Sequence, residues 1–332
     1  MHQLKRLLSK LKLKDSQGNE LDATNKKLFD EFVDNFCSAN NKTILYRGTE
    51  SIPEYNTSIF DIEKFANIMF NIGLKSIYYT NDGSNKKLFC LNDCSEELFN
   101  SIFDKLNDKL CNRKFAALGT IEKVSSFLNS NEDFYNYFRT EANRKDFLSK
   151  IDNLDEEKKI KVKDYYLSLM HIIGRSMSEN NSYMISTSTQ IKIAEKFKKD
   201  GILIVSWIPI TERRNLIIKY NEVNKLNDKI KKMRLPYYVI SPYIEQKEFC
   251  VKCGLLPHYI IGYSHEDSFI VNKHLLTEFN MARDIESIIK DGIRINQERI
   301  NEILKETKYK RGFSCIDGYY YDWYNIDSNK EI

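Results

Sequence analysis

This chain is poor in the residues that break regular structure. It holds five prolines and 12 glycines among 332 residues, which excludes a loop-dominated architecture and favours a helix-rich one. Its seven cysteines are odd in number and scattered, so a disulfide framework is not expected. Reduced thiols in a cytoplasmic setting, nearly all of them core residues, are expected instead. No run of about 18 apolar residues occurs, so no membrane span is expected. The N-terminal residues lack the charged, apolar and small succession of a secretory leader. Nor does either charge dominate: a net +4 suits an anionic ligand without requiring nucleic acid. What is present, 42% apolar and 30% charged residues, is the composition of a soluble globular protein. The length suits one large domain or two ordinary ones.

Hydrophobic spacing divides the chain. Leu4, Leu7, Leu8 and Leu11 recur at helical intervals among Lys5, Arg6, Lys10 and Lys12. This predicts a basic amphipathic helix over 2–14, ended by Asp15–Gly18. Docking on the protein's own core or on a partner accounts for such a helix; a membrane surface is the alternative. A second helix is predicted from Lys26 to Cys37, with Leu28, Phe29, Phe32, Val33 and Phe36 on one face. Thr43–Gly48 reads as a strand with an arginine near its end and a glycine that turns the chain. Ser76–Thr80 and Lys87–Leu91 flank Asn-Asp-Gly-Ser and read as a hairpin. Helices are predicted over 96–110, 115–128, 132–149 and 155–176. Strand character returns at Tyr183–Ser186, followed by a short helix Gln190–Lys198 and a buried strand Gly201–Ile208. Charged residues 211–235 interrupt the strands. Tyr237–Ile240, Phe249–Lys252 and His258–Tyr263 are further strand candidates. Residues 274–308 read as helical with a break near Gly292, and the tail, Tyr319–Tyr324, is aromatic. The mixture predicts an α+β fold.

Three elements can carry chemistry. In Leu45-Tyr46-Arg47-Gly48 the guanidinium offers a rigid fork of donors that matches phosphate oxygens. A surface salt bridge is the plainer use of one arginine. Ser186-Thr187-Ser188 stands at a strand-to-helix junction, with Ala194 and Phe197 on the helix that follows. Hydroxyls there cap helices, and Ser188 fits that role. Ser186 instead fits a role in orienting a carboxylate or a ribose hydroxyl. In Tyr243-Ile-Glu-Gln246-Lys-Glu248, Gln246 and Glu248 alternate on an extended strand and share a face. A solvated strand shows the same alternation. Cys250 and Cys253, with His258 nearby, are a single pair without a second and are weak evidence for zinc.

Taken in order, these elements resemble the bacterial mono-ADP-ribosyltransferases of the Arg-Ser-Glu class. The resemblance covers about residues 26–48 and 181–263. It extends to Gly254-Leu-Leu-Pro257 and Gly262-Tyr263, which look like the strand-turn-strand after that family's catalytic glutamate. It implies an α+β fold: a split, mainly antiparallel β-core of the ADP-ribosyltransferase type with a large helical insertion and flanking helices. The implied partition is a basic amphipathic helix (1–25), the core (26–60 and 176–273), a mostly helical insertion (61–175), and a C-terminal helical segment with an aromatic tail (274–332). NAD is implied as substrate, with no metal. Arg47 would hold the diphosphate, with Gly48, Ser186, Thr187, Ser188 and Phe197 around the cofactor. Glu248 would be the catalytic glutamate, oriented by Ser186, and Gln246 and Tyr243 would meet the acceptor. The implied setting is a cytoplasmic toxin or antiviral defence effector, with a cognate antitoxin or immunity protein as a possible partner.

The chain departs from that pattern in one large respect. Ser186 follows Arg47 by 139 positions, where the family needs a few tens. Arg175, close to Ser186, is the rival arginine, although it closes a predicted helix where Arg47 follows an apolar strand. Gln246 as the same-face partner of Glu248 points away from arginine acceptors, leaving other protein side chains or a nucleic-acid base. Basic runs at Lys229–Arg234 and Lys308–Arg311 and the aromatic tail suit a nucleic-acid strand, or a solvated helix face and a packed C-terminus. An NAD glycohydrolase, with water as acceptor, and a non-catalytic binding protein that uses the helical insertion are the alternative readings.

Overall fold

A computed structural model describes residues 3–40, 42–52, 55–74, 94–112, 126, 129–173, 184–209, 217–219, 223–239, 248–252, 255 and 259–277. In chain order the elements begin with helix α1 (Gln3–Leu8), strand β1 (Lys12–Lys14), α2 (Ala23–Ser38), β2 (Lys42–Thr49) and α3 (Ile62–Ile72). Four helices follow: α4 (Glu96–Asn112), α5 (Glu132–Arg139), α6 (Asn143–Asp152) and α7 (Glu156–Ile173). Then come β3 (Met184–Ser188), α8 (Ile191–Lys198), β4 (Ile202–Pro209), β5 (Ile217–Lys219) and α9 (Val223–Lys232). The last are β6 (Glu248–Lys252), β7 (Ile260–His265), β8 (Ser268–Val271) and α10 (His274–Thr277). The class is α+β, with a mixed, mainly antiparallel sheet. The chain divides into two compact units: Met1–Asp82, Ser186–Leu216 and Gly254–Ile332 form the first, and Gly83–Ile185 and Ile217–Cys253 the second.

In the first unit the strands lie in the order β1-β8-β7-β4-β2-β3. β2 and β4 run antiparallel in unbroken register from Lys42 opposite Pro209 to Thr49 opposite Ile202. β4 explains its central place: Ile202 to Ile208 is a continuous buried run, as a strand covered on both faces must be. Alternation sorts the side chains. Trp207 and Phe269 face α2, where Phe36 meets Trp207 edge-on at 5.5 Å and Phe29 stacks on Phe269 at 6.2 Å. Tyr263 faces α3, meeting Phe65 at 5.3 Å and Phe70 at 6.0 Å. Asp22 caps α2 by accepting the Asn25 N–H at 2.8 Å, and Phe29, Phe32, Val33 and Phe36 are buried as the periodicity predicts. Each such ring contributes about 1.5–3 kcal/mol on burial, so this stripe anchors the helix.

The N-terminal helix is shorter than its leucines predict. It ends at Leu8, and Lys12–Lys14 is instead an edge strand, parallel to β8 with Lys12 opposite Ser268. In the turn that follows, the Asp15 carboxylate accepts the N–H groups of Gln17 and Asn19, each at 2.9 Å, and folds residues 12–20 back. The short helix docks on the protein itself, with Leu4 buried and Lys5 paired to Asp34 of α2 at 2.7 Å.

The second unit is built on aromatic rings. Phe138 lies within 5.0–5.5 Å of Phe134, Phe103, Phe147 and Tyr166. The helix predicted over 132–149 is two helices, α5 and α6. The Thr140 hydroxyl bonds back to the Asn136 carbonyl at 3.0 Å, and the Asn143 amide takes the Tyr137 carbonyl at 3.0 Å, so side chains satisfy the carbonyls at the break. Tyr237–Val239 is not a strand. The Tyr238 N–H donates to the Tyr165 hydroxyl at 2.8 Å and the Val239 N–H to the Asn131 side chain, so helices supply the partners that a ladder would. Residues 217–219 and 223–232, read as a charged interruption, form β5 and α9. β5 pairs antiparallel with β6, Ile218 opposite Cys250. The hairpin at 76–91, most of the helix 115–128, the helix beyond Thr277 and the aromatic tail lie outside the described residues.

Tyr165 and Tyr166 fasten the Leu235–Val239 segment to α7. Tyr165 donates to Asn227 at 2.6 Å while accepting from Tyr238, and Tyr166 donates to the Pro236 carbonyl at 2.7 Å. Burial pushes both hydroxyls well above their ordinary pKa, so they stay protonated and donate. Tyr165→Phe strands a buried N–H at Tyr238 and should cost about 1–3 kcal/mol in urea unfolding. A Phe variant as stable as the parent would show that this bond does not hold the segment.

Candidate functional site

Arg47 is the third residue from the end of β2, flanked by β4 on one side and β3 on the other. It stands opposite Ile204, and Tyr46 stands opposite Ser188. Its neighbours Leu45 and Tyr46 are buried, and Arg47 itself is half-buried. One guanidinium N–H, from Nη1, donates to the Ser186 carbonyl at 3.0 Å. The two residues are 139 positions apart in the chain, and the sheet makes them neighbours. The bond ties a cation to the β3 backbone in a half-buried place, where it loses less to solvent screening than at the surface.

The Ser-Thr-Ser stretch ends β3. Ser186 is half-buried; Thr187 and Ser188 are buried. Alternation puts Ser186 and Ser188 on the face of Tyr46 and Gly48, and Thr187 on the face of Arg47. The Ser188 hydroxyl accepts the Gln190 N–H at 3.1 Å, immediately before α8, so this serine shapes the turn into the helix. Sequence reasoning missed a second clamp on the same junction. The Gln3 amide accepts the Ile191 N–H at 3.1 Å and donates to the Thr189 carbonyl at 3.5 Å, satisfying a first-turn N–H of α8 from α1. Nothing in the local sequence around Gln3 marks this role, because its partners lie more than 180 positions away.

Gly48 does not turn the chain. It stays in β2, paired with Leu203, and the strand continues to Thr49. Its reason is the close passage of α8: a Cβ at Gly48 would lie 2.0 Å from the Ala194 carbonyl oxygen and 2.5 Å from the Lys198 nitrogen. Ala194 is correspondingly buried, while Phe197 on the same helix is 52% exposed. The Tyr46 hydroxyl is buried and has no hydrogen-bond partner among the described residues. Burial raises its pKa well above the usual tyrosine value and keeps it neutral.

Glu248 belongs to the second unit, where it opens β6 and is half-buried. Next to it Phe249 pairs with Lys219 of β5, and Cys250 is buried. Tyr243, Gln246, Cys253, His258 and the rival Arg175 lie outside the described residues. Among the described residues no group of three or more His, Cys, Asp or Glu is placed to hold a metal ion, and no helix is long and apolar enough to cross a membrane. In comparisons with known proteins, no family model, no curated protein and no solved structure matches the chain.

The glycine contact is testable apart from any chemistry. Gly48→Ala places a Cβ against helix backbone, which cannot swing aside as a side chain can, and should cost about 1–3 kcal/mol or more in urea unfolding. Trimming Ala194 to glycine should not restore the loss, because the contact is with a carbonyl and an amide. Full stability of Gly48→Ala would mean that α8 does not press on β2 this closely.

Proposed function

We propose that this protein is an NAD-dependent mono-ADP-ribosyltransferase. It moves ADP-ribose from NAD to a macromolecular acceptor and releases nicotinamide, as a bacterial toxin or defence effector. The observation that carries this reading is the bond from Arg47 to the Ser186 backbone, which joins two of the three elements named from the sequence. A guanidinium held in place by the backbone of the Ser-Thr-Ser strand suits the diphosphate of a dinucleotide. Thr187, on the same face, adds a hydroxyl on that side.

The chemistry asks for little else. The bond between the ribose C1′ and the nicotinamide nitrogen breaks, and its electron pair leaves with nicotinamide, which departs neutral and takes no proton. Positive charge grows on the sugar, as in the oxocarbenium-like state of glycoside hydrolysis. Glu248 steadies that charge and the ribose hydroxyl beside it, an interaction that strengthens toward the transition state and so raises the rate. The resemblance assigns Ser186 to orienting that carboxylate. The acceptor nucleophile then bonds to C1′ and gives up its proton to water. Gln246 holds the acceptor, with Tyr243 against it.

Glu248→Ala should lower nicotinamide release from NAD by about 10²–10³-fold, followed by chromatography, in a variant that circular dichroism shows to be folded. Unchanged release would remove Glu248 from the chemistry. Gln246→Ala should cut transfer of labelled ADP-ribose to lysate macromolecules while leaving nicotinamide release largely intact. Equal loss of both would mean that Gln246 does not serve the acceptor.

A further inference from the structure

We propose that the second unit carries a binding site for single-stranded nucleic acid. The site is an open cavity of about 550 Å³ between the start of α5 and the Arg234–Val239 segment. The proposal rests on the transferase reading and names the class of its acceptor.

The segment that leaves α9 alternates in burial. Leu235 and Tyr238 are buried, and Tyr237 and Val239 are 36% and 54% exposed. These are two of four exposed large hydrophobic residues among those described, and both line the cavity. The ammonium of Lys231 lies 5.7 Å from the centre of the Tyr237 ring. Lys231, Lys232 and Arg234 make no ion pair among the described residues. An exposed ring beside cations that hold no ion pair among the described residues suits an unpaired base and its phosphates.

Arg234 sits where glycine is favoured. It follows the C-terminus of α9, where the Leu235 N–H bonds to the Ile230 carbonyl at 3.2 Å and the Arg234 N–H to the Lys231 carbonyl at 3.0 Å. Its φ is 57°, the left-handed conformation that glycine adopts without strain. An arginine here gives up stability and places a guanidinium at the wall of the cavity.

The opposite side of the cavity decides between partners. Glu132 and Asp133, both exposed, line it with Asn129 and Ser130. Carboxylates there accept hydrogen bonds from the exocyclic amines of bases, donors that the side chains of an acidic peptide do not offer. A nucleotide has both characters, an anionic phosphate and an amine-bearing base. The volume falls in the range of small-ligand pockets, enough for one nucleotide unit of a longer strand. Val239 also stands four positions before Tyr243, at the start of the stretch assigned to the acceptor.

The test is fluorescence anisotropy of labelled mixed-sequence DNA and RNA strands, each of about 12 nucleotides, with the full chain and no NAD. Tyr237→Ala should weaken binding roughly ten-fold. Arg234→Gly should weaken binding and lower the slope of log affinity against log salt by about one, with a melting temperature equal to the parent's or higher. Tighter binding of either polymer supports the site and names the strand. Parent-like binding by both folded variants overturns it, as does displacement of the strand by polyglutamate in preference to unlabelled strand. If the strand does not bind while nicotinamide is still released, this inference falls and the transferase reading stands. If binding depends on Tyr237 but no nicotinamide is released, the transferase reading falls and the binding site stands.

Discussion

The antiparallel pairing of β2 with β4 is the constraint on which the first unit depends. It holds residues 42–49 against residues 202–209 in one register, and it sets the edge on which β3 and its hydroxyls lie. Such a pairing tolerates a long excursion between its strands. Closing a loop costs only about 0.6 kcal/mol more for each doubling of its length. Stretching a separation of a few tens of residues to the observed 139 therefore costs about 1 kcal/mol. The residues between them pack an aromatic core of their own, around Phe138 and Tyr166. The separation of Arg47 from Ser186 along the chain is thus energetically minor.

On the reading proposed above, the two units contribute different kinds of order. Arg47 is positioned by β-sheet geometry, where one residue's slip would turn it to the other face. The Leu235–Val239 segment is positioned by side chains, with Tyr165, Tyr166 and Asn131 each taking one backbone group. Hydrogen bonds of that kind hold the segment without committing it to a sheet, and they allow alternate residues to stand exposed. A strand in its place would have spent those backbone groups on a neighbour.

Local pattern made much of the fold legible. The buried stripe of α2, strands β2 and β4, and helices α4, α7 and α8 follow from periodicity within a few residues of their observed bounds. The misreadings fall where the deciding partner is remote. Lys12–Lys14 is a strand because β8 lies alongside, more than 250 positions later. Tyr237–Val239 has strand-like residues but gives its N–H groups to helices. β8 itself went unread because its hairpin turn is Glu266-Asp267, without the glycine or asparagine that signals one. For the site, residue types marked Arg47 and the Ser-Thr-Ser stretch, and the sheet joins them. The Gln3 clamp and the cavity beside Tyr237 could not be read, since each depends on contacts between distant segments.

The scarcity of glycine explains the misreading of Gly48. A side chain forced to positive φ costs roughly 1–2 kcal/mol, and an exposed turn can bear it. Lys199, Arg234 and Glu266, all exposed, do so after α8, after α9 and between β7 and β8. A Cβ driven into backbone is harder to accommodate, because neither strand nor helix can move without breaking its own hydrogen bonds. At Gly201 a Cβ would lie 2.1 Å from the Thr49 carbonyl oxygen, as close as the clash at Gly48. Both glycines therefore stand where α8 and its exit pass β2, whereas Gly18 and Gly73, at φ 89° and 78°, serve a turn and a helix end. In such a chain a glycine after an arginine marks close packing before it marks a turn, and that packing sets the Ser-Thr-Ser junction beside the arginine.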